Sequence, residues 1–236
     1  MRMRKKKHGE ERLLACGEFV IDKPDLQQLP SDTPVWLEIG AGKGGFACGM
    51  TQKHPNVAYY AMERVTDCVV LAAERAKRIS EETGACGNLR FIVDTADNLT
   101  KLFDCGSVDA IFLNFSDPWS KKGYAKRRLT HRRYLAVYFN LLKDGGVLTF
   151  KTDNVGLFDF SLEEIEAVGL KCDAVTRDLH ASEWAADNVI TEYEANFSSQ
   201  GVKINMLRVT KPAGFTLEVP ENLSRSYVRK DYNCDN

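Results

Sequence analysis

The chain has 236 residues, 44% of them hydrophobic and 28% charged, which is the composition of an ordinary globular protein long enough for one substantial core. Its formal net charge is −1, so any attraction to a polyanion must come from a local patch and not from the whole molecule. Seven cysteines form no CxxC pair and four dispersed histidines form no metal-spaced pair, which argues for reduced thiols and against both a disulfide framework and a metal.

The N-terminal MRMRKKKHGEERLL is charged but lacks the apolar stretch of a signal peptide. No window reaches the length of a transmembrane helix, and the expectation is a cytoplasmic protein without a membrane partner. The arm reads either as a phosphate-binding tail or as a solvated terminus. Three prolines between positions 23 and 34 mark a linker, so 1–34 is read as arm plus linker. From 35 to 212 short apolar runs alternate with helical patterns. Strands are predicted over 35–39, 57–62, 89–93, 108–113, 147–151, 170–176 and 202–209, and helices over 44–53, 67–83, 128–142 and 157–168. The predicted helix over 128–142 ends at Lys143-Asp144-Gly145-Gly146, and TEYEANFSSQ is a short segment ahead of the last strand. Such alternation means an α/β fold: a doubly wound, mostly parallel seven-stranded sheet, with the last strand antiparallel because no crossover precedes it. Residues 213–236 read as a polar tail.

The first strand runs into Glu38-Ile39-Gly40-Ala41-Gly42-Lys43-Gly44-Gly45. Gly40, Gly42 and Gly45 satisfy the spacing GxGxxG between a strand and a helix, where glycines permit a tight turn and close backbone approach to a ligand. The second strand ends in Glu63, a carboxylate suited to two ribose hydroxyls. Two cofactor classes fit this pattern: a nicotinamide dinucleotide, with its pyrophosphate at the helix N-terminus, or S-adenosyl-L-methionine. Glu38 separates them, because a carboxylate repels a pyrophosphate and attracts an ammonium or sulfonium. EIGAGKG resembles the E/D-x-G-x-G-x-G of class I methyltransferases. That resemblance places an acid after the third strand, Asp94 or Asp97, against the adenine amine.

The fourth strand delivers Asp117 onto the turn of NFSDPW (114–119), and Lys121, Lys122, Lys126, Arg127, Arg128, Arg132 and Arg133 follow closely. An acid at a strand's end beside a cationic run points to an enzyme acting on nucleic acid, with the run as the phosphate contact. Further on stand FKTDNVGLF from Phe150, DLH at 178–180 and TEYEANF from Thr191. Together these motifs resemble the bacterial tRNA (guanine-N7-)-methyltransferase family over about 35–212. The resemblance implies methyl transfer from S-adenosyl-L-methionine to N7 of a guanine in the tRNA variable loop. It also implies Asp117 as the catalytic acid, which counts with Glu38, Gly40, Gly42, Glu63 and Asp97 among the cofactor contacts. Guanine N7 has a lone pair at neutral pH, so the task is alignment and stabilisation of the cationic product, not proton abstraction.

The guanine edge offers two donors, which an acceptor-only carboxylate can take. Asp153, Glu192 and Glu194 are the candidates, with Thr191 and Tyr193 placing them. Lys121, next to Asp117, would hold the substrate or orient the acid. The chain departs from the family's pattern at Ser120, Gly123 and Tyr124, and at Thr95. Two other readings compete: a nicotinamide-dependent oxidoreductase and a non-catalytic RNA-binding module. The protein is expected as a monomer or homodimer.

Overall fold

The computed structural model describes residues 7–224, divided into two compact units, Met1–Thr95 and Ala96–Asn236. The first six residues of the proposed phosphate-binding arm, with the basic residues at positions 2, 4, 5 and 6, and the tail from 225 onward lie outside the described residues.

In the first unit, helix α1 (Gly9–Leu14) packs on helix α3 (Thr66–Thr83). Arg12 donates Nε and Nη2 to the two carboxylate oxygens of Glu74, each at 2.7 Å. Phe19 is buried and the Ile21 amide donates to the Phe91 carbonyl at 3.0 Å. The segment read as arm and linker thus touches the first unit's core through Cys16 and Phe19, while α1 itself buries no residue. Strand β1 (Val35–Ile39) leads through a glycine turn into helix α2 (Gly45–Lys53). Strand β2 (Ala58–Glu63) leads into α3, which ends at Gly84 with φ +72° ahead of strand β3 (Leu89–Val93). β1 and β2 pair in parallel from Val35↔Ala58, and β2 and β3 from Tyr59↔Leu89. β2 is the middle strand and all but its last residue are buried, as befits a parallel strand covered on both faces.

The second unit continues with α4 (Leu99–Leu102), β4 (Val108–Asn114), α5 (Arg132–Leu141), β5 (Leu142–Thr152), α6 (Val155–Ala167), β6 (Ala174–Thr176), α7 (Glu192–Ser198), β7 (Asn205–Thr210) and α8 (Glu221–Ser224). Its strands are ordered β4-β5-β7-β6. β4 and β5 are parallel, whereas β7 is antiparallel to both β5 and β6. The fold is thus the expected α/β class with seven strands, mostly parallel, and an antiparallel last strand.

Three local expectations change. The helix predicted over 128–142 begins only at Arg132, because Lys122–Arg127 is a 3₁₀ stretch and Arg128 is extended (φ −65°, ψ 131°). The glycine stop at 143–146 lies inside β5, where the Gly145 amide donates to the Lys211 carbonyl and the Lys211 amide to that of Gly146. TEYE opens helix α7 through a capping box, with the Thr191 hydroxyl accepting the Glu194 amide at 2.9 Å. Among the described residues Cys16, Cys48, Cys68, Cys86 and Cys172 are free thiols.

Candidate active site

In the first unit the glycine turn is built from its own backbone. Gly40, Gly42 and Gly44 have φ of +87°, +55° and +73°, a region that favours residues without a Cβ. A Cβ at Gly44 would meet that of Ala72 at 2.8 Å, so this glycine lets α2 lie against α3, while the space around Gly40 and Gly42 is open. The amides of Gly40 and Ala41 donate to the Met62 carbonyl at 2.8 and 3.0 Å. Glu63 then ties the turn to β2: its Oε2 accepts the Gly42 amide at 3.0 Å and its Oε1 the Val65 amide at 2.9 Å. Each oxygen keeps a second lone pair for a ligand hydroxyl. Glu38 is buried beneath the turn, with the Tyr59 hydroxyl donating to it at 3.5 Å; burial, and then the Glu38 charge, push the Tyr59 phenol well up. A carboxylate, an open glycine cradle and a hydroxyl acceptor fit the ammonium-bearing tail and ribose of S-adenosyl-L-methionine.

Asp94, at the end of the first unit, spends its Oδ1 on its neighbour, accepting the Thr95 amide at 2.7 Å. In the second unit, Asp97 Oδ1 accepts from Arg133 Nη2 at 2.7 Å and from the Tyr134 hydroxyl at 2.9 Å. Arg133, expected on RNA, is thereby committed to the acid expected on adenine.

NFSDPW leaves β4 with two bulky residues in the left-handed region, Phe115 at φ +51° and Trp119 at φ +41°. Such positions cost on the order of 1–3 kcal/mol each and persist only where their surroundings enforce them. Here the Phe115 amide donates to the Lys151 carbonyl at 2.9 Å. On the far side Arg128 Nε donates to the Pro118 carbonyl at 2.9 Å and its Nη2 to that of Trp119 at 3.2 Å. The same guanidinium lies 4.3 Å from the centre of the Phe160 ring. Arg128 therefore clamps the turn that presents Asp117, which is exposed. The Ser116 hydroxyl beside it is buried without a hydrogen-bond partner among the described residues, an uncommon state for such a group.

The basic run divides. Arg132 forms a bidentate pair with Glu164 (3.0 and 2.9 Å), and Arg128 and Arg133 are committed as described. Lys121, Lys122, Lys126 and Arg127 are exposed. His131 caps α5, its Nδ1 accepting the Arg133 amide at 3.1 Å; burial pulls its pKa down, against the opposing pull of Glu164.

Of the three acids expected at the guanine edge, Glu194 lies inside the protein. Its side chain is fully buried and saturated: it accepts from Lys151 Nζ at 2.8 Å, Asn188 Nδ2 at 2.6 Å and the Thr191 amide at 3.3 Å, with His180 Nε2 at 2.7 Å. Burial raises its pKa, but Lys151, His180 and Asn188 outweigh that and hold the carboxyl below its usual range. Enclosed by four donors, this carboxylate would have to give up one of these bonds to accept from a base. It joins β5, the DLH turn and the start of α7. Thr191 is likewise buried as a cap. Glu192 remains exposed, Asp153 half-buried, and the exposed Tyr193 donates its hydroxyl to Asp153 at 3.5 Å. The Tyr193 ring stacks on Phe197 (centroids 4.3 Å apart) and lies 5.0 Å from Phe115. Lys151, His180 and Asn188 were not singled out from the sequence. The one available signal was their occurrence inside or beside the KTDN, DLH and TEYE motifs.

Among the described residues no group of three His, Cys, Asp or Glu side chains is arranged to hold a metal ion, and no helix is long and apolar enough to cross a membrane.

Comparison with known proteins bears on this geometry. A family described as "Putative methyltransferase" matches residues 32–207. The chain is similar to the tRNA (guanine-N(7)-)-methyltransferase of Streptococcus equi subsp. zooepidemicus (strain H70), 37% identical over 216 residues that cover 89% of this chain and 100% of that one. It is similar also to that of Limosilactobacillus reuteri (strain DSM 20016), 38% identical over 213 residues, 88% of this chain and 98% of that one. Among solved structures it resembles the 16S rRNA methyltransferase KamB, with a TM-score of 0.61 at 14% identity, covering 81% of this chain and 95% of that one. At that identity the likeness is one of fold.

Proposed function

This chain belongs to the tRNA (guanine-N7-)-methyltransferase family, and we propose that it transfers a methyl group from S-adenosyl-L-methionine to N7 of a guanine in the tRNA variable loop, in the cytoplasm. The observation that carries this reading is the exposed Asp117 on a turn strained at Phe115 and Trp119 and clamped by Arg128. Backbone strain held in place by surrounding contacts is characteristic of reactive sites.

The cofactor supplies the electrophilic methyl group. Glu38 attracts its ammonium, the open backbone at Gly40 and Gly42 admits its tail, Glu63 accepts its ribose hydroxyls and Asp97 takes its adenine amine. The guanine N7 lone pair needs alignment, not a base. Asp117 stabilises the positive charge that grows on the purine as the bond forms. Asp153 and Glu192 accept from the guanine N1–H and exocyclic amine, with the base lying on the Tyr193 ring. Lys121 anchors the adjoining phosphate. A buried carboxylate at Glu38 would repel a pyrophosphate, which disfavours a nicotinamide cofactor.

The test is labelled methyl transfer to unmodified bulk tRNA, with the product nucleoside identified by mass. 7-Methylguanosine is expected, and any other product overturns the proposal. Asp117→Asn should lower kcat by about 10²–10³ with little change in tRNA affinity; a weakened affinity at unchanged kcat would remove Asp117 from the chemistry.

A further inference from the structure

Immediately after Asp117 the second unit carries a group of side chains that the methyl transfer itself does not use. The Trp119 and Tyr124 rings meet edge to face, with centroids 5.9 Å apart and an interplanar angle of 78°. The Arg127 guanidinium lies against both, 5.0 Å from the Trp119 ring centre and 4.8 Å from that of Tyr124. Trp119 is held by the Arg128 clamp on its carbonyl. Tyr124 is 42% exposed, and around it stand the exposed Lys121, Lys122 and Lys126. From Pro118 to Lys143 the sequence holds no acidic residue.

We propose that Trp119, Tyr124 and Arg127 form a stacking platform for an unpaired RNA base beside the target guanine. This inference rests on the reading of the chain as a tRNA methyltransferase. An anion alone would be satisfied by the lysines and gains nothing from two rings. A hydrophobic partner would be penalised by four exposed cations. A nucleotide matches both, because its phosphate pairs with the lysines and its base stacks on an aromatic or guanidinium plane. A base inside a duplex already has two stacking neighbours, so the occupant must be unpaired. Arg127 against the rings preorganises the plane, since a guanidinium fixed on aromatic faces loses little freedom when a base lies on it.

The test uses the full chain with Tyr124→Ala, Tyr124→Leu and Tyr124→Trp. Kd for tRNA is measured across a salt series, methyl transfer is resolved into kcat and KM, and fluorescence is followed from 2-aminopurine placed in the variable loop. Loss of one base stack should raise Kd and KM about fivefold or more in Tyr124→Ala and Tyr124→Leu, with the salt slope unchanged because no charge is lost. Tyr124→Trp should restore both, and 2-aminopurine should be quenched by wild type and Tyr124→Trp but not by Tyr124→Leu. Wild-type Kd and quenching in Tyr124→Leu would overturn the platform while leaving the methyltransferase reading intact. Tight tRNA binding by the wild type without 7-methylguanosine would overturn that reading instead, and the quenching series would still judge the platform. A salt slope altered in Tyr124→Leu would mean displaced charges and not a lost stack, and would also overturn it.

Discussion

Two charged regions of the second unit use the same residue types to opposite ends. In the buried cluster, Lys151 and Glu194 are almost wholly removed from solvent and are joined by Asn188 and His180. In the run from Lys121 to Arg127 the cations point into water. Removing charges from water is costly, and a buried pair persists only when every lone pair and proton finds a partner. An exposed cation faces no such requirement and is left available to a phosphate. The difference teaches that burial, not residue type, decides whether a charge near this site holds the architecture or meets a substrate. Arg128, Arg132 and Arg133 fall between these extremes, each committed to a protein partner while belonging by sequence to the exposed run.

The largest effect that probes this contrast is on stability. Glu194→Ala leaves the Lys151 ammonium buried without its counter-charge and should destabilise the fold by about 3–5 kcal/mol, read from the midpoint of denaturant unfolding. Lys151→Met combined with Glu194→Leu should cost less than the sum of the single changes, because the two are coupled. A single substitution within about 0.5 kcal/mol of wild type would dissolve the distinction between the two regions.

Arg128→Ala comes next. It removes charge-assisted hydrogen bonds worth about 1.5–3 kcal/mol from the turn carrying Asp117. It should depress kcat by about ten- to hundredfold, whereas Arg127→Ala should act on KM for tRNA. Equal effects on KM from both would place Arg128 back among the exposed cations.

Acid should separate the regions as well. The folded Glu194 carboxyl is held below its usual value of 4.5, as is that of Glu164, where burial opposes and Arg132 and His131 outweigh it. As pH falls, the unfolded chain therefore takes up these protons first. The stability they contribute is whole above about pH 5 and is lost as pH falls through 4 and below. Glu194→Gln should flatten that decline, while neutralising lysines of the run should not; a decline unchanged by Glu194→Gln would remove this acid as its source.

The smallest change in stability is expected from Lys122→Ala with Lys126→Ala, within about 0.5 kcal/mol of wild type. Their effect should appear in RNA binding instead, with tRNA affinity weakened and the salt slope reduced by about 1 for each phosphate no longer neutralised.

Much of the first unit was legible in the sequence because its site is local. Gly40, Gly42 and Gly44 take left-handed backbone at alternate positions of one turn, and Glu63 reaches Gly42 from the end of the next strand. The alternation of apolar runs likewise exposed the sheet and its antiparallel last strand. The second unit was legible in its motifs but not in their roles. Glu194 and Lys151 are 43 positions apart, and nothing in TEYE alone says that its last acid turns inward. The 3₁₀ stretch at Lys122–Arg127 and the delayed start of α5 follow from contacts of Trp119, Tyr124 and Arg128 that no local propensity encodes.

By itself, the amino-acid sequence determined the α/β class, the glycine turn with its two acids, the acid on the Asp-Pro turn and the family to which the chain belongs. These depend on periodicity and on residues adjacent in the chain. Only the tertiary structure decided which acids and cations are spent inside the protein and which face outward. That choice depends on desolvation and on partners brought together from distant segments, and neither is a property of any stretch of sequence taken alone.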